Sequence, residues 1–110
     1  MAARTSEQHH KGVFAISVAA EMVRMEVQNL RVHERRGLLE PERTSAGTRL
    51  YSQADIDVLH RIRDLLADGL NLAGIARVLA LEEEVRRLRR RLESPRRAGS
   101  SDSSDPPAAR

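Results

Sequence analysis

Apolar side chains recur three and four residues apart along much of the chain between residues 16 and 92, which predicts a succession of short helices. The first predicted helix has one apolar face, formed by Val18, Ala19, Met22 and Val23. Ser17 is suitably placed as its N-cap, because a serine hydroxyl can accept a hydrogen bond from a free amide at a helix start. The short apolar run before it, residues 13–16, predicts a small strand.

The second predicted helix is polar and basic, unlike the first. It follows a turn at residues 24–26 and runs to about Arg36, with Val27 and Leu30 facing inward. Gly37 stands directly after it, where a helix C-terminus favours glycine. An apolar helix, a turn and a basic helix in this order predict a helix-turn-helix.

A turn-centred segment at residues 42–50 predicts a two-stranded ribbon. Pro41 precedes it and cannot continue a helix, and residues 44–48 have the small and polar side chains of a loop. Arg43 and Arg49 flank that loop. A helix followed by a basic hairpin is the arrangement of a winged helix-turn-helix, in which the helix enters the major groove and the ribbon reaches the neighbouring backbone.

Two more helices are predicted after the ribbon. Ser52 and Asp55 have the spacing of a capping box, and Tyr51 and Ile56 are placed as the hydrophobic staple beside it. Apolar residues follow at helical spacing, namely Ile56, Leu59, Ile62 and Leu66. Asn71 is placed to cap the helix after that.

The last apolar stripe is the most regular, with spacings of three, four, three and four residues, and consists of Val78, Leu81, Val85, Leu88 and Leu92. This is the a/d pattern of a coiled-coil seam, so we expect it to form a homodimer. Acidic residues 82–84 precede the basic residues of 86–91, an order that suits the helix dipole. A core helix packed within the same chain remains the alternative interpretation.

These elements divide the chain into four parts. We expect a disordered polar tail at residues 1–12, a winged helix-turn-helix domain at 13–77, a dimerisation helix at 78–93 and a disordered Ser/Pro/Ala/Arg-rich tail at 94–110. The predicted fold class is therefore mainly α, a winged helix-turn-helix domain followed by a short dimerisation helix. His9 and His10 are expected to be solvated, because no third metal ligand lies near them in sequence.

Composition narrows the class of function. With 110 residues, 40% of them hydrophobic and only Phe14 and Tyr51 aromatic, the core must be thin and aliphatic, so dimerisation would help to stabilise it. The chain has 19 basic and 16 acidic residues, and every basic residue except Lys11 is arginine. Arginine suits bidentate contacts to phosphate and guanine, although the codons of a GC-rich genome favour it equally.

The sequence offers no chemistry for catalysis or for a cofactor. It contains no cysteine, no nucleophile–base set, no glycine-rich phosphate loop and no zinc-ligand spacing, so we expect neither an enzyme nor a metal protein. No apolar run approaches the roughly 18 residues of a membrane span, and residues 1–12 lack the apolar segment of a signal peptide. We therefore expect no membrane partner and a cytoplasmic, nucleoid-associated protein.

The basic helix and the ribbon also carry a family resemblance. The run N-L-R-x-x-E-R-x-G-L-L-x-P-x-R, followed by G-x-R-x-Y-S and a new helix, resembles the DNA-binding domain of the mercury-resistance-regulator (MerR) family. Residues 16–21 and 71–75 resemble the heat-shock repressor (HspR) branch in particular. The chain departs from the family pattern at Val32-His33, where many members have paired tyrosines, and at Arg24, where glycine is frequent.

The DNA-contacting residues are expected on the basic helix and on the ribbon. In the helix the candidates are Gln28, Asn29, Arg31, His33 and Arg35, and in the ribbon they are Arg43, Thr44, Thr48, Arg49 and Tyr51. The resemblance implies contacts, mostly to the DNA backbone, for Arg31, His33, Arg43, Arg49 and Tyr51. Gln28 and Asn29 are better suited to base readout, because side-chain amides can pair with adenine.

The resulting hypothesis is a dimeric transcriptional regulator that binds an inverted repeat in double-stranded DNA and represses a promoter. The resemblance implies control of a stress or chaperone operon, with an Hsp70-type chaperone as co-repressor. One alternative is a MerR-like protein that binds a co-chaperone as a modulator, which would need neither the arginines nor the ribbon. Another is an architectural DNA-binding protein similar to phage excisionases, which lack a dedicated dimer helix.

Overall fold

The computed structural model of the chain describes residues 8–93. The first seven residues of the predicted tail at 1–12 and the whole predicted tail at 94–110 lie outside the described residues. The described part is mainly helical, as predicted, with a small two-stranded sheet. Its elements are α1 (Ile16–Val23), α2 (Val27–Arg35), β1 (Glu42–Arg43), β2 (Arg49–Leu50), α3 (Gln53–Ala67) and α4 (Leu72–Glu93). The chain forms two compact units, one ending at Ile75 and the other beginning at Ala76, so α4 contributes to both.

The first unit is built around α1, which packs against α2 and α3. Its largest fully buried side chains are Val23, Leu30, Tyr51, Ile56, Leu59, Ile62 and Ile75. The core is therefore aliphatic apart from one tyrosine, as the composition requires. Within α3, Leu65 is buried, whereas Leu66, which the sequence pattern placed inward, is 40% exposed. The buried residue that follows Ile62 on the inward face of α3 is therefore Leu65, three residues later, and not Leu66, four residues later.

The first helix begins earlier than its sequence suggests. Its N-cap is Ala15, whose side chain cannot accept a hydrogen bond, and Ser17 lies inside the first turn, so the predicted serine cap is wrong. The inward face is also different: Ala19, Ala20 and Val23 are buried, whereas Val18 and Met22 are exposed. Two of these three buried residues are alanine, whose small side chain leaves room for close packing of α1 against α2 and α3.

The helix-turn-helix turn lies where the sequence predicted it. Arg24, directly after α1, has φ 58° and ψ 49°, in the left-handed region, and its amide donates to the carbonyls of Ala20 and Glu21. Left-handed C-caps of this kind satisfy carbonyls that the end of a helix leaves free, and glycine normally occupies them. Gly37, after α2, fits this rule with φ 78°.

The predicted start of α3 is confirmed. Ser52 Oγ accepts a hydrogen bond from the Asp55 amide at 3.0 Å, and the Ser52 amide donates to Asp55 Oδ2 at 2.9 Å, which completes a capping box. The predicted cap of α4 is also present, since Asn71 Oδ1 accepts from the Gly74 amide at 2.8 Å.

The N-terminal segment packs against the small sheet. The predicted strand at 13–16 is reduced to one antiparallel bridge, between Phe14 and Tyr51. Gly12 is buried, and its amide donates to Glu42 Oε1 at 3.1 Å. A Cβ atom at Gly12 would lie 2.6 Å from the Leu50 carbonyl oxygen, so only glycine fits there without a shift. His9 was expected to be solvated, but its Nε2 atom lies 3.0 Å from Asp57 Oδ2 and its side chain is partly buried. Residues 8–12 were expected to belong to a disordered tail, but these contacts give the segment a defined place.

The described part of the second unit is the remainder of α4, residues 76–93. On this helix the predicted seam residues Leu81, Val85, Leu88 and Leu92 are 64%, 43%, 45% and 74% exposed, and Val78 is half-buried. Arg86 pairs with Glu83 at 2.7 Å, and Arg87 pairs with Glu84. Most of the predicted seam is therefore exposed to solvent within residues 8–93. None of the helices in this range is long and apolar enough to cross a membrane.

Candidate nucleic-acid interface

The outer face of α2 presents amide and guanidinium groups to solvent. Gln28, Asn29, Arg31 and Arg35 are all exposed, whereas Leu30 is fully buried against the core. Positions 28, 31 and 35 follow one another at helical spacing, and 29 lies beside them. Four of the five residues predicted on this helix therefore share one surface.

His33 does not belong to that surface, so its predicted DNA contact is not supported. The residue is only 4% exposed, and neither ring nitrogen has a hydrogen-bond partner among the described residues. Desolvation by burial lowers the pKa of His33 below its ordinary value, so the ring is neutral near pH 7. The sequence held a signal for this, because His33 follows the inward-facing Leu30 by three residues and must share its face.

The ribbon is a tight hairpin whose tip is polar. Its strands pair Glu42 with Leu50 and Arg43 with Arg49. The Thr44 amide donates to the Thr48 carbonyl at 2.8 Å, and the Thr48 amide donates to Thr44 Oγ1 at 3.1 Å. Both threonines are exposed, so the predicted wing residues Thr44 and Thr48 lie at the tip of the wing.

Tyr51 is the second predicted contact residue that the structure removes from the surface. Its side chain is 0% exposed, and its hydroxyl has no hydrogen-bond partner within residues 8–93. Burial raises the pKa of the Tyr51 hydroxyl. The backbone of Tyr51 accepts from the Val13 and Phe14 amides, each at 2.9 Å. The residue therefore anchors the base of the wing in the core.

A carboxylate that the sequence analysis did not single out joins the helix to the wing. Glu34, on α2, accepts from Arg43 Nη2 with its Oε2 atom at 2.7 Å and from Arg49 Nε with its Oε1 atom. We call Glu34, Arg43 and Arg49 the Glu34 cluster. The Glu34 side chain is only 14% exposed. Desolvation raises the pKa of the Glu34 carboxyl, but hydrogen bonds from Arg49 and Arg43 outweigh it and lower that pKa below its ordinary value.

The cluster could not be read from local spacing. Its arginines lie 9 and 15 residues from Glu34 in sequence and meet it only when the ribbon folds back onto α2. Arg43 has a further contact, from Nη1 to the Gly47 carbonyl at 3.1 Å, which ties its side chain to the loop. Helix and wing therefore form one surface rich in hydrogen-bond donors. Within residues 8–93, no group of three or more His, Cys, Asp or Glu side chains could hold a metal ion.

Comparison with known proteins identifies relatives of this domain. The family model described as MerR HTH family regulatory protein matches residues 14–82. The chain is 44% identical over 80 residues to a Streptomyces coelicolor protein described as heat shock protein HspR, covering 72% of this chain and 53% of that protein. It is 34% identical over 84 residues to the HTH-type transcriptional regulator TnrA of Bacillus subtilis, covering 74% and 76%. The chain thus spans about half the length of the Streptomyces protein.

One solved structure shows the same fold. HiNmlR, a MerR family regulator lacking the sensor domain and bound to promoter DNA, aligns with a TM-score of 0.59 at 22% identity. The alignment covers 73% of this chain and 67% of HiNmlR. The helices and wing described above therefore have the fold of HiNmlR.

Proposed function

The chain belongs to the MerR family of transcriptional regulators, which are not enzymes, and from this premise we propose that it is a dimeric repressor that binds an inverted-repeat operator. The observation that carries the proposal is the shared surface of α2 and the wing. On it, the exposed amides of Gln28 and Asn29 lie beside Arg31 and Arg35, and the wing is fixed to the same helix through Glu34.

The two elements have different roles in this proposal. Helix α2 enters the major groove, where Gln28 and Asn29 can form paired hydrogen bonds with adenine. Arg31 and Arg35 reach phosphate or guanine from the same face. In the wing, Arg43 and Arg49 contact the backbone together with the exposed hydroxyls of Thr44 and Thr48. Phosphate contacts of this kind position the protein, whereas the base contacts specify the sequence.

Dimerisation through α4 would match the protein to a two-fold symmetric site. We divide the chain accordingly into a DNA-binding part at residues 13–77 and a dimerisation helix at 78–93, flanked by terminal segments. The exposed apolar seam supports this division, because a coiled-coil seam buries its a and d positions against a partner helix. The family resemblance implies that the two helices run antiparallel.

The proposal for the regulated genes comes from the Streptomyces coelicolor relative reported above. Its description as a heat shock protein HspR supports repression of a stress or chaperone operon. We propose in addition that an Hsp70-type chaperone acts as co-repressor and that the protein resides on the nucleoid. Purified chaperone should then increase the affinity of the protein for its operator.

The test is a salt-titrated binding assay on an operator duplex and on a random duplex, with the operator located by footprinting the DNA upstream of the protein's own gene. Gln28→Ala should lose more affinity for the operator than for random DNA, by a factor that corresponds to about 1–3 kcal/mol. Arg49→Ala should weaken binding to both the operator and the random duplex and reduce the salt slope by about one unit.

Arg77→Ala is the matched control, because it removes the same charge from the exposed surface of α4. It should leave both affinities near those of the unchanged protein. If Arg49→Ala left both affinities unchanged, the ribbon would not be a DNA-binding wing. A protein-binding modulator with the same fold would then be the better explanation.

A further inference from the structure

The Glu34 cluster connects the two elements that would touch DNA. Glu34 lies on α2, Arg43 on β1 and Arg49 on β2, and each arginine donates to a different oxygen of the one carboxylate. A movement of the ribbon away from α2 therefore breaks at least one of these hydrogen bonds. Because the carboxylate is mostly shielded from water, its interactions are less screened than those of an ordinary surface ion pair.

The cluster leaves donors available for a ligand. A guanidinium has five N–H groups, and Arg49 uses only its Nε atom within residues 8–93. Its two Nη atoms have no partner in that range, and its side chain is 24% exposed. Arg43 is 45% exposed and is fixed by Glu34 and by the Gly47 carbonyl. Glu34 thus orients both guanidinium groups without consuming all of their hydrogen-bonding capacity.

The charges of the cluster do not cancel. Two guanidinium groups and one carboxylate give the cluster a net charge of about +1, whereas the two arginines without Glu34 would have about +2. Binding to any duplex, whatever its sequence, increases with the number of phosphates that a protein neutralises. A carboxylate beside the wing arginines therefore weakens sequence-independent binding. The same carboxylate holds the arginines in place before DNA binds. The two side chains therefore lose less conformational entropy when the protein binds a well-fitted DNA site.

From these two effects we infer that Glu34 is a positioning residue that raises the preference of the protein for its operator over random DNA. It does so by fixing the wing arginines relative to α2 and by offsetting part of their positive charge. This inference rests on the proposed DNA-binding function.

The experiment compares Glu34→Gln with the unchanged protein on operator and random duplexes across a salt series. Glutamine keeps the shape of the side chain but loses the charge. Affinity for random DNA should rise, and its salt slope should become steeper by about one unit. Affinity for the operator should not rise in proportion, because glutamine keeps only one acceptor oxygen and can no longer hold both arginines, so the ratio of the two affinities should fall roughly tenfold.

Glu40→Gln is the matched control. Glu40 is exposed in the loop after α2, so the substitution removes the same charge from a neighbouring site outside the cluster. It should leave the ratio of operator to random affinity unchanged. An equal fall in that ratio for both variants would overturn the positioning role, because general charge would then explain it.

Arg49→Lys provides a second test that does not alter α2. Lysine keeps the positive charge but lacks the planar fork that can donate to Glu34 and to a phosphate together. Random-DNA affinity and its salt slope should remain, while operator affinity falls roughly tenfold. If neither Glu34→Gln nor Arg49→Lys changes the ratio, Glu34 has no positioning role. If the unchanged protein binds no duplex at all, it is the proposed function that fails.

Discussion

Arg63 donates from Nη1 to the carbonyl oxygen of Val23 at 3.2 Å, which joins α3 to the last turn of α1. The final carbonyls of a helix have no partner within the helix, and this contact satisfies one of them. The Arg24 amide satisfies two more, those of Ala20 and Glu21. The turn that sets the angle between α1 and α2 is therefore held from both sides, although a non-glycine residue occupies its left-handed position.

Replacing that residue should stabilise the protein. The left-handed conformation that Arg24 adopts costs a residue with a Cβ atom roughly 1 kcal/mol in conformational free energy. Glycine, which has no Cβ atom, does not have this cost. Arg24→Gly should therefore raise the free energy of unfolding by up to about 1 kcal/mol. Chemical denaturation measures the change. Arg24→Ala is the control, because it removes the same side chain but keeps the Cβ atom, and an equal gain in that variant would contradict the backbone explanation.

Two serines at helix starts should differ in their contribution to stability. Ser52 forms both hydrogen bonds of a capping box, so Ser52→Ala should cost about 1 kcal/mol in the free energy of unfolding. Ser17 is exposed within the first turn of α1 and does not cap it. Ser17→Ala should therefore change stability by less than about 0.5 kcal/mol. Thermal unfolding of the two variants distinguishes them, and similar losses would mean that Ser17 caps α1 in solution.

The buried histidine should make stability depend on pH. The folded protein holds the pKa of His33 below 6.5, so the unfolded chain binds a proton more readily. The contribution of the neutral ring is complete above pH 6.5 and is lost as the pH falls through the folded pKa. Between pH of about 7.5 and about 5.5, His33→Leu should therefore lose less thermal stability than the unchanged protein.

The same window separates His33 from the carboxylate of the Glu34 cluster. The lowered pKa of Glu34 lies below 4.5, so its contribution is present above 4.5 and is lost only in more acidic solution. His60→Leu is a control for the loss of an imidazole, because His60 is exposed on α3. An identical pH dependence in His33→Leu and the unchanged protein would show that His33 does not titrate in this way.

The seam on α4 should hold the dimer together. Leu88→Asp would bury an unpaired charge in the contact between two helices, which is costly, so the variant should be monomeric at low micromolar concentration. Light scattering measures the mass. Ala80→Asp introduces the same charge at an exposed position outside the a/d stripe, and that variant should remain dimeric. A dimeric Leu88→Asp protein would place the interface elsewhere.

Features set by neighbours in sequence were the ones that the sequence predicted well. The capping box of Ser52 and Asp55 depends on a spacing of three residues, and the turn near Arg24 depends on the break between two apolar patterns. The start of α1 was missed because Ala15 caps it without a side-chain hydrogen bond. A cap without a side-chain hydrogen bond has no residue pattern in the sequence from which it could be predicted.

Features set by distant parts of the chain were the ones that sequence reasoning could not supply. A histidine within a basic helix and a tyrosine after a basic ribbon suggest DNA contacts, yet His33 and Tyr51 are buried. In the sequence Glu34 is one acidic residue among basic ones, and its pairing with Arg43 and Arg49 depends on the folding of the ribbon onto α2. Burial and ion pairing at these positions follow from packing, not from spacing.

The N-terminal segment has a consequence for the order of folding. Its Gly12 amide pairs with a residue 30 positions later in the chain, and the Phe14–Tyr51 bridge spans a still longer loop. Closing such loops costs chain entropy, and this segment buries little in return because Val13 is 55% exposed, whereas α1 buries Ala19, Ala20 and Val23. This segment should therefore join last during synthesis and open first in hydrogen exchange, exposing the base of the wing while the helices remain folded.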